Sequence, residues 1–309
     1  MNIATRLTNT DVIIIDGAMG TELQRRDVPM NFEVWSAAAL FSHPNVIRDI
    51  HSDYIRAGAE VQIAATYNTA PHVINPSSFE TSSREFTAAA FGLLRESIEN
   101  TEPEHPVWIA GSISTTVESR RKEMLDVSTL RDSYTEHAEN LAEQGCDLIM
   151  LEMMLTHEFA IDLEFQAEIA AIAKRTGLPV WAGIALKMSE SGELHLQDGA
   201  ENTGEALRSG IEALLAEGVD VAGIMHSEVE TTLPALDLLE QYWSGPVAVY
   251  PNSGHYKRPH WFFDSIITPE NFASDAAQWA HRGVKAIGGC CGIGPEHIME
   301  LSRALGREV

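Results

Sequence analysis

Eight short apolar runs punctuate the chain: Asp11–Gly17, Glu60–Thr66, Val107–Ile113, Asp147–Glu152, Pro179–Leu186, Val221–Ser227, Pro246–Asn252 and Ala286–Cys291. They are rich in β-branched residues and nearly continuous in hydrophobicity, the pattern of strands buried on both faces. Between them lie stretches with apolar residues at three- and four-residue spacing. Asn45–Ala57, Thr129–Gln144, Glu205–Glu217 and Thr268–Arg282 are examples, and each predicts an amphipathic helix. Gly58, Gly145, Gly218 and Gly283 stand between helix and strand, where a helix ends most easily. Thr268-Pro269-Glu270 reads as an N-cap, a proline at the first helical position and a first-turn acid. The alternation predicts an α/β fold. An open doubly wound sheet shares it, but eight regular units over about 300 residues favour closure into a (β/α)8 TIM barrel, one domain over residues 1–309. The longest irregular pieces, Ser114–Leu130, Lys187–Thr203 and Ser253–Ile267, all follow strands. That is the face on which such barrels carry their active sites.

The residues that close the strands bear chemistry. The first run ends in Asp16-Gly17, the second in Thr66-Tyr67-Asn68, the third in Gly111-Ser112, and the fourth in Glu152. The sixth ends in Met225-His226-Ser227, the seventh in Tyr250-Pro251-Asn252, and the eighth in Gly288-Gly289-Cys290-Cys291-Gly292. Adjacent cysteines are poorly shaped for a disulfide with each other. Two thiolates at one strand end can instead share a soft metal such as zinc, or pack as two small hydrophobes. Asp16 can grip a cation or shape a turn, and Glu152 can do the same or join a structural ion pair. His226 becomes a candidate ligand because the cysteine pair occupies the same predicted rim. Cys146 falls on the opposite rim and is expected in the core.

Composition removes whole classes. A formal net charge of −24 argues against nucleic acid or an anionic membrane as partner. Only three cysteines occur in 309 residues, and the N-terminal stretch has no apolar signal core. Both predict a cytoplasmic protein. No apolar run approaches the roughly 20 residues of a membrane span.

Asp16-Gly17-Ala18-Met19-Gly20-Thr21-Glu22-Leu23, Trp35-Ser36, Arg56-Ala57-Gly58-Ala59, Tyr250-Pro251-Asn252-Ser253-Gly254 and Gly288-Gly289-Cys290-Cys291-Gly292 together resemble the homocysteine S-methyltransferase family. The resemblance covers nearly the whole chain and keeps the order of the motifs. It implies a (β/α)8 barrel that holds zinc by three cysteines, with the homocysteine sulfur as a further ligand. Two of these match Cys290 and Cys291. The third, expected at the end of the sixth strand, is replaced by His226 in Gly223-Ile224-Met225-His226. The family's grip on the amino-acid end of homocysteine maps to Asp16, Gly17 and Glu152. Tyr67 falls where the family often has an aromatic near the sulfur and the methyl donor; Trp35 is a second candidate wall for a cationic donor, and Asn252 a further candidate for substrate binding. Two departures sit on the donor side: Gly111-Ser112-Ile113-Ser114-Thr115-Thr116 lacks the family's Gly-Pro-x-Gly, and Glu152-Met153-Met154-Leu155 lacks its Glu-Thr-x-Pro.

The implied chemistry is methyl transfer to a small-molecule thiol acceptor from a cationic methyl donor. Donors of the right chemistry include S-methylmethionine, S-adenosylmethionine, betaine and dimethylsulfoniopropionate. A thiolate is the nucleophile, zinc favours it over the thiol, and aromatic faces suit a sulfonium or quaternary ammonium. Exchanging one thiolate for a neutral imidazole leaves the metal site one charge less negative, with an ordinary set of zinc ligands. A methyltransferase or demethylase for a different thiol, and a barrel that binds without catalysis, are the competing expectations.

Overall fold

The computed structural model describes residues 1–115, 126–156, 163–197, 204–257 and 260–308. Parts of the predicted loops Ser114–Leu130, Lys187–Thr203 and Ser253–Ile267 lie outside these residues. Eight parallel strands form the centre: β1 Ile13–Ile14, β2 Val61–Ile63, β3 Trp108–Ser114, β4 Leu148–Met154, β5 Val180–Ile184, β6 Val221–Glu228, β7 Val247–Asn252 and β8 Ala286–Ile287. Their order in the sheet is β1-β8-β7-β6-β5-β4-β3-β2. A parallel bridge between Ile15 and Val61, with the Asp16 N–H donating to the Val61 carbonyl at 2.9 Å, brings β1 back against β2. The result is the TIM-barrel architecture predicted from the apolar runs, with helices interleaved between strands. Two predicted strands, the first and the last, are trimmed to two residues each, because the chain turns away to build the rim.

The period-two alternation of a strand sorts side chains between two cores. Ile13, Ile15, Val61, Ile63, Trp108, Ala110, Leu148, Met150, Trp181, Met225, Ala248 and Tyr250 point inward and fill the barrel. Ile14, Ile109, Ile149, Leu151, Ile224 and Val249 point outward and meet the helices. Helix ends follow the local code. Pro269–His281 starts at Thr268, whose side chain accepts from the Asn271 N–H, and Gly283 beyond it has a φ of 95°. Ser83–Thr101 opens with a Ser82/Glu85 capping box.

Below the barrel, Glu60 is buried and takes the Arg6 guanidinium at 3.0 Å and that of Arg307 at 3.4 Å. Both ends of the chain are thereby pinned beneath the floor, away from the rim. Above it, two pieces expected to be irregular contain small antiparallel hairpins, Leu186–Met188 with Leu194–Leu196 and His255–Lys257 with His260–Phe262. In the second, His255 stacks on Phe262 at 5.1 Å, a cross-strand ring contact that favours pairing. No helix among the described residues is long and apolar enough to cross a membrane.

Candidate metal centre and substrate pocket

The rim at the C-terminal ends of the strands carries a cavity of about 350 Å³. Gly17, Trp35, Tyr67, Glu152, His226, Asn252, Cys290 and Cys291 all line it. Asp16 lies behind this wall. Its Oδ2 accepts the Ile63 N–H at 2.8 Å and its Oδ1 accepts the Tyr250 hydroxyl at 3.3 Å. Burial pushes the Asp16 carboxyl well above the usual aspartate range, the Ile63 N–H works against that shift, and the nearby Glu152 adds to it.

Strand parity explains how some of these side chains arrive. Leu148 and Met150 of β4 point into the barrel, so Glu152 does too, at the top. Trp108 and Ala110 of β3 point inward, so Ser112 follows, and its hydroxyl donates to Glu152 Oε1. Ala248 and Tyr250 of β7 carry Asn252 on the same face. His226 breaks the rule. Met225 fills the barrel interior, and the next residue of a regular strand faces the helices. Here the pairing of β6 with β7 slips between Met225 and Glu228, and His226 takes a left-handed φ of 60°. A bulge of this kind re-aims one side chain, and it turns the imidazole back to the rim.

The outcome is a buried constellation. His226 Nε2 lies 2.8 Å from Glu152 Oε2, with both side chains only 4% exposed. Ligand atoms of Glu152, His226 and Cys290 all fall within 4.8 Å of one another, a grouping able to hold a metal ion. The Cys291 sulfur sits 4.0 Å from that of Cys290. The hydrogen bond with the Cys291 thiol, then burial, push the Cys290 thiol well above its ordinary range. Asn252 ties the parts together. Its Nδ2 donates to the His226 carbonyl at 3.0 Å and its Oδ1 accepts the Cys291 N–H at 3.0 Å. Gly17 is required by crowding, since a Cβ there would meet the Ile293 carbonyl oxygen at 2.6 Å.

A sequence profile of the homocysteine S-methyltransferase family matches residues 13–305. The chain belongs to that family. The homocysteine S-methyltransferase of Escherichia coli (strain K12) is 29% identical to it over 311 residues, spanning 96% of each protein. A selenocysteine methyltransferase of Astragalus bisulcatus is 26% identical, over 94% of this chain and 92% of that one. Among solved structures, the metallated form of the E. coli homocysteine methyltransferase MmuM superposes with a TM-score of 0.74 at 27% identity, covering 95% of this chain and 96% of that one. The family fold and a buried Glu/His/Cys grouping, beside a relative solved in metallated form, point to a metal site at this rim.

Several residues in or behind the pocket wall escaped the reading of the sequence as site residues. Tyr250 gives its hydroxyl to the Gly17 carbonyl at 3.1 Å as well as to Asp16, and Ser112 holds Glu152. Their parity with Asn252 and with Trp108 was the available signal. Asn68 also lines the pocket, 4% exposed, and its Oδ1 has no partner among the described residues. Phe32, from a loop, and Tyr256 and Trp261, paired across the hairpin of His255–Lys257 with His260–Phe262, complete the walls. Cys146 is buried in the core as expected, its thiol pushed up to about 12 by burial.

Proposed function

We propose that this protein is a zinc-dependent S-methyltransferase that moves a methyl group from a sulfonium or quaternary ammonium donor to the thiol of homocysteine, giving methionine. The meeting of Glu152, His226 and Cys290, with Cys291 beside them, in a pocket walled by aromatic rings carries this reading. One imidazole and two thiols form an ordinary zinc donor set, so the residues present fit that metal better than a hard, oxygen-seeking cation. Zinc bound there favours thiolate over thiol at the acceptor sulfur, and the thiolate is the nucleophilic form.

The chain's own residues supply recognition. Asp16 and Glu152 offer negative charge to the acceptor's ammonium. The arriving cation counters the burial that otherwise holds the Asp16 carboxyl up. Trp35 and Tyr67 stand 6.3 Å apart with their ring planes at 63° and give a cationic donor two aromatic surfaces. No lysine or arginine is among the described lining residues. The Asn68 carboxamide oxygen adds an unused acceptor on the same wall. The thiol loses its proton to solvent, its sulfur forms a bond to the methyl carbon as the donor's S–CH3 or N–CH3 bond breaks, and the donor leaves with that electron pair as a neutral thioether or tertiary amine.

The test supplies zinc-loaded protein with homocysteine and, separately, S-methylmethionine, S-adenosylmethionine, betaine and dimethylsulfoniopropionate, with methionine read by mass spectrometry. Methionine from at least one donor, lost on chelation and restored by zinc, is the expected result. Methylation of selenocysteine or another thiol in place of homocysteine moves the acceptor. The Astragalus bisulcatus relative makes selenocysteine the first alternative to try. Protein that holds zinc yet methylates no thiol overturns the reading in favour of a binding barrel.

A further inference from the structure

We infer that Glu152 is a positioning residue for the metal centre: it holds the Nε2–H of His226 and so presents Nδ1 to the metal. The inference rests on the zinc reading above. Both oxygens of Glu152 are engaged, Oε1 by the Ser112 hydroxyl and Oε2 by His226 Nε2 at 2.8 Å. Nε2 is therefore the ring nitrogen that faces the carboxylate, and a carboxylate beside a ring nitrogen is placed to accept its N–H. With Nε2 turned to Glu152, Nδ1 is the ring nitrogen left for a metal. The main chain that carries the ring is fixed on both sides. His226 is held in the left-handed region at φ 60°, and the Asn252 amide fastens its carbonyl. One ring nitrogen of His226, a Glu152 oxygen and the Cys290 sulfur all lie within 4.8 Å of one another, so the imidazole and this thiol share one site.

A carboxylate that fixes the tautomer and direction of a metal-bound histidine commonly contributes tenfold or more to metal affinity. A cysteine in place of His226 would remove this duty. A thiolate has no N–H for Glu152 to hold. The positioning role inferred for the carboxylate therefore runs through the imidazole.

Zinc dissociation constants, measured by competition with a chromophoric chelator, test this in the full chain. Glu152→Ala is expected to weaken zinc about 10- to 100-fold. Glu152→Gln is expected to recover most of that loss, because a carboxamide oxygen still accepts from Nε2–H. In the His226→Cys background, Glu152→Ala is expected to change zinc affinity by less than about twofold. Equal losses in the Ala and Gln variants, or the same loss with and without His226, overturn the inference in favour of a direct ligand or a simple charge effect. A measurement on the unaltered protein guards against misfolding: in 15N-histidine spectra of the zinc-loaded chain, Nδ1 of His226 should be the metal-bound nitrogen and Nε2 should keep its proton. The reverse assignment overturns the inference outright. Wild-type protein that binds no zinc defeats the zinc reading itself. Zinc-binding protein indifferent to Glu152→Ala defeats only the positioning role.

Discussion

Asn252 is the cheapest place to break the rim without touching a proposed ligand. Its side-chain amide joins the ends of β6 and β8 across β7, donating to the His226 carbonyl and accepting the Cys291 N–H, each at 3.0 Å. Asn252→Ala deletes both bonds. At about 1 kcal/mol net for each, the loss is about 2 kcal/mol of stability, roughly a 30-fold change in the folding equilibrium. Asn252→Asp is the sharper probe. The aspartate can still accept from the Cys291 N–H, but it sets a carboxylate oxygen against the His226 carbonyl, turning attraction into repulsion at nearly unchanged volume. The Asp variant should therefore lose at least as much stability as the Ala variant, and both should hold zinc more weakly. Urea denaturation of the metal-free proteins gives the first quantity, and chelator competition gives the second. If Asn252→Asp unfolds at the wild-type urea midpoint and binds zinc as tightly as the wild type, the amide is not the tie that the geometry describes.

Three further outcomes are expected. Purified protein should carry about one zinc per chain, and Cys290→Ala or Cys291→Ala should lose most of it by elemental analysis; full occupancy in both variants would sink the cysteine assignment. The Cys290 thiol is held up by Cys291 and by burial, so it keeps its proton to higher pH than an ordinary cysteine and zinc must displace that proton. Zinc affinity should accordingly rise with pH up to the raised Cys290 value, with proton release detectable by calorimetry in two buffers, and a pH-independent affinity contradicts this. With zinc saturating, Asp16→Asn should raise KM for homocysteine about tenfold, the worth of one charge-assisted contact, while sparing a thiol that lacks the amino group. Equal losses for both thiols would remove Asp16 from ammonium recognition.

The apolar runs by themselves determined the alternating architecture, because strands buried on both faces must be apolar throughout and helices that cover them must be apolar on one side. The motifs around Asp16, Tyr250 and Cys290-Cys291 placed the chain in its family and named the candidate site residues. Strand parity in the sequence was also enough to send Glu152, Asn252 and the overlooked Ser112 and Tyr250 to the inner face. What only the tertiary structure decided is how those groups are shared. That His226 turns back to the rim depends on a register slip against β7 and a left-handed backbone, neither of which has a local signal at a histidine. That Glu152 is bound to His226, and Asn252 to two strand ends at once, depends on closing a barrel that brings residues 74 and 39 positions apart into contact. Such pairings follow from the angular positions of strands around a closed sheet, and a one-dimensional pattern carries the parity of each strand but not its neighbours across the barrel.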